Sequence, residues 1–399
     1  MIWLYLTSGL FLGWVLGAND AANLFGTAVG TRMLRFRTAA MVGSVFVVIG
    51  AVAGAHGTAK TLGRLGAIDA LPGAFMVALA AAASVFFLLM KIGLPVSITQ
   101  AIVGAIVGWN LFTGRPTDLK TLTQLLSSWL ISPLLAGLIA AGLFLLARSS
   151  VAGLKIHLLE VDGWTRSGLL AAGAFGAFSL GQNDIANVMG VFVRVSPFPE
   201  TTVLGPLTAT SVDMLFLLGG LAIATGICTY SRRVMLKVGS GLASLSPLAA
   251  LVVVLSAALV LFLFGSPELQ RVLKYLHLPG WPLVPISATQ AVVGAIVGIS
   301  LVRRSGIRMK ALGDIVLGWV VAPLLALAIA LVGLFVLQNV FELPVSKAPR
   351  AGTTGPRAAG PDRSHRLLSS FAVAGPSNTR RLEMERTEFR STPLPGGLA

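Results

Sequence analysis

Apolar stretches long enough to cross a bilayer recur along most of the chain, separated by short polar loops. A hydrocarbon core about 30 Å thick needs roughly 20 predominantly apolar residues in helical form. Runs of that kind predict helices over 2–30, 39–56, 73–92, 121–147, 167–193, 203–229, 240–264 and 312–341. Two shorter segments, 95–112 and 283–302, differ: each opens Pro-x-Ser-x-Thr-Gln and then runs Ala-x-Val-Gly-Ala-Ile-Val-Gly. Proline followed by hydroxyl and amide residues marks a helix start whose first-turn N–H groups are free. Both segments are therefore expected to be half-helices or arms of re-entrant hairpins. A membrane barrel would instead show alternating strands of about ten residues. The fold class predicted is an all-α polytopic membrane protein, and a composition of 55% hydrophobic against 11% charged residues excludes a soluble enzyme built on one core.

Polar residues interrupt the apolar runs at four places, and these come in pairs. Gly17-Ala-Asn-Asp-Ala-Ala-Asn23 returns as Gly181-Gln-Asn-Asp-Ile-Ala-Asn187, 164 residues later. The cluster Ser97, Thr99 and Gln100 returns as Ser287, Thr289 and Gln290, 190 residues later, and Trp129-Leu-Ile-Ser-Pro133 returns as Trp319-Val-Val-Ala-Pro323 at that same spacing. Motif order is preserved, so the chain reads as a duplicated unit with about 26 residues added in the second half, some of them in the polar stretch from Ser266 to Trp281. If the short segments cross fully there are five crossings per half, and odd-numbered halves must be inverted. The expected organisation is an N-terminal transmembrane repeat over 1–147, a linker over 148–166, a C-terminal transmembrane repeat over 167–341, and a disordered basic tail rich in Pro, Gly and Ser over 342–399.

Charge orients this arrangement. The net charge is +15, with Lys and Arg mainly in loops and in the tail. In a membrane protein that pattern indicates positive-inside orientation and contact with anionic membrane lipid, not nucleic-acid binding. With the N-terminus outside, only Lys60, Arg64, Arg115, Lys120, Arg194, Arg271 and Lys274 fall on the outer face. The N-terminal run leads straight into the first Asn/Asp motif and is read as a membrane helix, not a signal peptide. The single cysteine, Cys228, excludes an intrachain disulfide, and four scattered histidines lack zinc-ligand spacing.

Asn19 and Asn23 lie on one helical face with Asp20 beside them, as do Asn183, Asp184 and Asn187. With the two Ser/Thr/Gln clusters they offer amide and hydroxyl donors, oxygen acceptors and two carboxylates, but no Lys or Arg. Half-helix N-termini suit a tetrahedral oxyanion. The carboxylates would repel it unless hard cations bind alongside. The residue types thus predict anion and cation together, which is symport. Asp213 is either a further cation ligand or a polar contact between helices. The Trp129/Pro133 and Trp319/Pro323 pairs read as kinked scaffold helices.

The doubled Gly-x-Asn-Asp-x-Ala-Asn motif with its paired Pro-x-Ser-x-Thr segments resembles the inorganic phosphate transporter (PiT) family of sodium–phosphate symporters, over roughly residues 1–341. The resemblance implies two inverted-topology repeats around a midplane site, a multi-pass location in the cell (inner) membrane, and alternating access. It implies phosphate at Asn23, Asn187, Ser97, Thr99, Ser287, Thr289, Asp20 and Asp184, with Gln100 and Gln290 completing the set, and sodium at Asp20, Asp184, Asn19 and Asn183. No cofactor is expected beyond the coupling ion, and a homo-oligomer is compatible with the pattern. Many members carry His where this chain has Gln100 and Gln290. An amide keeps the hydrogen bonding but carries no proton near neutral pH, which favours sodium over H+ coupling. The alternatives are a proton- or metal-coupled phosphate permease and a related sulfate permease. A carboxylate can accept from the hydroxyl that phosphate retains and sulfate lacks, which favours phosphate. A membrane hydrolase using the two aspartates lacks any accompanying Gly-x-Ser-x-Gly or metal motif, and a passive channel would be indifferent to cation gradients.

Overall fold

A computed structural model describes residues 2–347, apart from 55, 93–95, 155–157, 200, 205–206 and 239–244. Pro95 and the tail beyond residue 347 lie outside the described residues. The chain forms α1 (Ile2–Gly30), α2 (Phe36–Gly54), α3 (His56–Leu65), α4 (Leu71–Ile92), α5 (Ile98–Thr113), α6 (Leu119–Leu154) and α7 (Leu158–Met189). A 3₁₀ turn (Gly190–Val195) and a short antiparallel pair, β1 (Thr201–Leu204) and β2 (Leu207–Ala209), follow. Then come α8 (Ser211–Thr229), α9 (Ser231–Val238), α10 (Pro247–Gly265), α11 (Pro267–Tyr275), α12 (Ala288–Arg303) and α13 (Met309–Asn339).

Six helices among the described residues, α2, α4, α6, α8, α10 and α13, are long and apolar enough to cross a membrane. The chain is therefore a multi-pass membrane protein built of helices, with one short strand pair outside them. Helices α6 and α13 turn Leu130, Leu134, Leu138, Leu317, Leu324 and Val332 outward. Such a surface is costly in water and natural against lipid tails. Helices α5 and α12 have 16 residues each, a length of about 24 Å at 1.5 Å per residue, short of a full crossing.

Several boundaries differ from the sequence expectation because side chains cap the helices. Ser97 and Ser287 adopt matching extended conformations and accept the N–H of Gln100 and Gln290, so α5 and α12 begin after the serines. The described residues of 203–210 do not join α8: Thr210 N–H and hydroxyl donate to Asp213 Oδ2 at 2.8 and 2.7 Å, and Asp213 N–H donates back to Thr210 Oγ1 at 3.2 Å. This capping box stops the helix at Ser211 and accounts locally for Asp213. Helix α10 starts at Pro247 behind a Ser246 cap. The short helices α3, α9 and α11 escape a search for long apolar runs, and the described parts of 148–166 continue α6 and α7 as helix.

Glycines permit four close helix crossings that come in matched pairs. A methyl on Gly104 of α5 would strike the Pro323 carbonyl of α13, and one on Gly294 of α12 would strike the Pro133 carbonyl of α6. Likewise Gly17 of α1 abuts the backbone of Ile223 in α8, and Gly181 of α7 abuts that of Val47 in α2. Small residues at such crossings let backbones meet without side chains between them. Each motif helix is thereby fixed against a helix from the other end of the sequence.

Candidate functional site

The two Asn/Asp motifs lie inside long helices, but their partners are the unwound residues that lead into α5 and α12. Asn19 brackets one peptide: its Nδ2 donates to the Val96 carbonyl at 2.7 Å, and its Oδ1 accepts the Val96 N–H at 3.1 Å. Asn183 does the same to Ile286, at 2.7 and 3.0 Å. Extended backbone buried in a membrane protein needs both its polar groups satisfied, and a carboxamide carries donor and acceptor on two adjacent atoms, spaced to meet the N–H and C=O of one residue.

The carboxylates are held just as symmetrically. Asp20 Oδ1 accepts from Asn19 Nδ2 at 2.9 Å and Asn23 Nδ2 at 2.8 Å. Asp184 Oδ1 accepts from Asn183 Nδ2 at 3.0 Å and Asn187 Nδ2 at 2.8 Å. The i, i+3 spacing of aspartate and second asparagine puts that bond on one helical face.

The second asparagines then cross over. Asn23, in the first motif, donates to Thr289 Oγ1 at 3.1 Å, and Asn187, in the second, donates to Thr99 Oγ1 at 2.9 Å. Each threonine hydroxyl donates in turn to the carbonyl that the opposite motif brackets: Thr99 to Ile286 at 3.2 Å and Thr289 to Val96 at 3.4 Å. One interlocked network results, which joins both motifs to the heads of α5 and α12. Asn19, Asp20, Asn23, Ser97, Thr99, Gln100 and their six counterparts are all buried, none more than 4% exposed.

Several polar atoms here have no hydrogen-bond partner among the described residues: Asp184 Oδ2, Asn187 Oδ1, Gln100 Oε1 and Gln290 Oε1. Buried polar atoms without partners are rare in folded proteins and mark places where a guest completes the bonding. Oxygen acceptors of this kind suit a hard cation or a hydroxyl donor. The first-turn N–H groups of α5 and α12 suit an anion. The chemistry of the donor set therefore accommodates both charges in one place.

Trp129 and Trp319 lie on α6 and α13, the helices that cross α12 and α5. Gly294 and Gly298 of α12 lie against Pro133 and Gly137 of α6, and Gly104 and Gly108 of α5 lie against Pro323 and Leu327 of α13. Each pair runs in parallel register, so one turn earlier Trp129 is level with Gln290 and Trp319 with Gln100. Both indole Nε1 atoms are buried without a partner among the described residues. The sequence signal for them was their repetition at the same 190-residue spacing as the glutamines.

The chain matches the family model described as the phosphate transporter family over residues 16–269 and 275–376. A protein of Methanocaldococcus jannaschii provisionally named a phosphate permease is 28% identical over 82% of this chain and 95% of its own length. A Plasmodium falciparum protein named a sodium-dependent phosphate transporter is 34% identical over 37% of this chain and 24% of its own. A solved structure of a sodium-dependent phosphate transporter shares the fold, with a TM-score of 0.67, 23% identity, and coverage of 85% of this chain and 99% of that one. With the matched model spanning most of the sequence and the same doubled motifs closing one buried network, the chain belongs to the phosphate transporter family, a family of transporters and not of enzymes.

Proposed function

We propose that this protein imports inorganic phosphate by sodium-coupled symport across the cell (inner) membrane, the two halves of the chain, 1–147 and 167–341, moving as inverted repeats around the shared site. The observation that carries this reading is the crossed network of buried carboxylates, amides and threonines at the heads of α5 and α12. Sodium binds first, at Asp20 and Asp184, with the remaining lone pairs of Asn19 and Asn183 as further ligands. Two bound cations offset the carboxylates and admit the anion. Phosphate then takes the free N–H groups of both half-helix heads, with Ser97, Thr99, Gln100, Ser287, Thr289, Gln290, Asn23 and Asn187 around it. A carboxylate oxygen left over by the cations accepts the phosphate hydroxyl, which sulfate cannot offer. Moving Asp20 and Asp184 between two aqueous faces with their charge neutralised lowers the barrier to alternating access. Amides at Gln100 and Gln290 take away the imidazole that would carry a proton beside the carboxylates, which favours sodium as the coupling ion.

The test is radiolabelled phosphate uptake into liposomes holding the purified protein. Accumulation above the external concentration is expected with an inward sodium gradient, and Asp20→Asn should abolish it. Equal uptake with and without either gradient would mark a passive pore, and equal competition by sulfate would remove the preference for phosphate.

A further inference from the structure

Helix α3 and the 3₁₀ turn that ends α7 enclose a cavity of about 400 Å³, distinct from the buried network. It is lined by Ala59, Lys60, Gly63, Arg64, Gly190 and Arg194, with Val193 and Val212 at its side. Among the described residues the lining contains three cations and no carboxylate. The nearest acid in sequence to Val212, Asp213, is turned toward Thr210 in the cap of α8. Elsewhere the arginines on the face expected to be outer have acidic partners: Arg115 meets Asp69 at 2.6 Å and Arg271 meets Glu268 at 2.9 Å. Lys60, Arg64 and Arg194 form no salt bridge with any described residue. Three like charges around one concavity repel one another, an arrangement that an anion of charge −2 relieves.

The position of this cavity ties it to the core site. Gly190 follows Asn187 by three residues, about 4.5 Å of helix rise, and its Cα faces Leu62 of α3. Glycine at 190 keeps the two elements close while the basic side chains stand around the opening. We infer that this cavity is a second anion site that captures a phosphate dianion at the mouth of the molecule and raises its local concentration beside the α7 end of the network. The inference rests on the phosphate transport reading above and adds to it a site outside the doubled motifs. A lipid phosphate headgroup shares the recognising chemistry, so the experiment separates the two sources.

The triple variant Lys60→Gln/Arg64→Gln/Arg194→Gln and the charge-keeping Lys60→Arg/Arg64→Lys/Arg194→Lys are compared with wild type in two vesicle types, one of zwitterionic lipid alone and one with added anionic lipid. Initial rates of phosphate uptake are measured over a range of ionic strengths. For capture of free phosphate, the neutral variant raises KM about three- to tenfold with kcat unchanged and flattens the salt dependence in both vesicle types, while the charge-keeping variant behaves as wild type. If added anionic lipid raises the wild-type KM and not that of the neutral variant, the same site binds the lipid headgroup in competition. A neutral variant with wild-type KM and wild-type salt dependence in both vesicle types overturns the inference. Absence of uptake by the wild type is a separate outcome that strikes the transport reading, and equilibrium binding of inorganic phosphate to the Asp20→Asn/Asp184→Asn protein, with and without the three basic residues, then decides the cavity alone.

Discussion

Replacing Thr99 by valine keeps shape and β-branching and deletes only a hydroxyl. That hydroxyl accepts from Asn187 Nδ2 at 2.9 Å and donates to the Ile286 carbonyl at 3.2 Å. Ile286 remains satisfied through Asn183, so the loss falls on the Asn187 amide, which keeps its bond to Asp184 but loses the one that joins it to α5. Leaving a buried donor short of an acceptor costs about 1–3 kcal/mol, and with one of two bonds surviving the lower part of that range applies. Converted at 1.4 kcal/mol per tenfold, Thr99→Val should lower kcat/KM for phosphate by roughly 5- to 30-fold. Thr289→Val should do the same through Asn23, and serine at either position should stay within about twofold of wild type because the hydroxyl returns. Reconstituted uptake measures the rates, and thermal unfolding in detergent separates loss of fold from loss of transport. In a double-mutant cycle, Thr99→Val and Asn187→Ala should combine to less than the sum of their separate effects. Valine variants indistinguishable from wild type, or strictly additive losses in the cycle, would refute the crossed network as the feature that shapes the site.

Two further outcomes follow from other parts of the molecule. Trp129→Phe and Trp319→Phe keep the ring and remove the indole N–H. If those unpartnered donors meet the bound anion, each variant should raise the KM for phosphate by about 5- to 10-fold, in line with one lost hydrogen bond, while the unfolding temperature stays put; a fall in unfolding temperature with unchanged KM would make them packing residues. Asp69 lies in the loop before α4, where partial burial acts to raise its pKa but hydrogen bonds from Arg115 and from the Lys347 N–H outweigh it and hold the carboxyl below its ordinary value of 3.8. A depressed carboxylate stabilises the fold above its unfolded-state pKa and stops doing so as pH falls through the folded-state value. Wild type should therefore lose thermal stability on acidification below about pH 4, whereas Asp69→Asn should begin lower at pH 7 and show a shallower decline; parallel pH profiles would dispose of the effect.

Much of this architecture could be read before any coordinates. The apolar run gives α1 its observed bounds, Ile2–Gly30, and the doubled motifs single out the twelve residues that the fold buries together. Periodicity says which face Asn19 and Asn23 share, but not what that face meets. Hence the crossing of Asn23 to Thr289 and of Asn187 to Thr99, contacts 266 and 88 residues apart, was not legible: helix spacing carries no information about the partner helix. The bonds of Asp213 to Thr210 were hidden for the opposite reason, since they span three residues and a lone carboxylate in an apolar run draws attention to distant partners. The cavity beside α3 was hidden because Lys60, Arg64 and Arg194 come from two segments more than a hundred residues apart, and α3 is too short and polar to stand out among long apolar runs.

The exchange of asparagine–threonine bonds has an implication for assembly. Cut between α6 and α7, the N-terminal fragment would present an amide seeking Thr289 and a hydroxyl seeking Asn187, both in hydrocarbon and both unanswered. Synthesis must therefore carry the first segment through a stage in which its centre is open, to be closed only when the last helices arrive. The same reciprocity means that two fragments supplied as separate polypeptides have complementary cores and a thermodynamic reason to find one another.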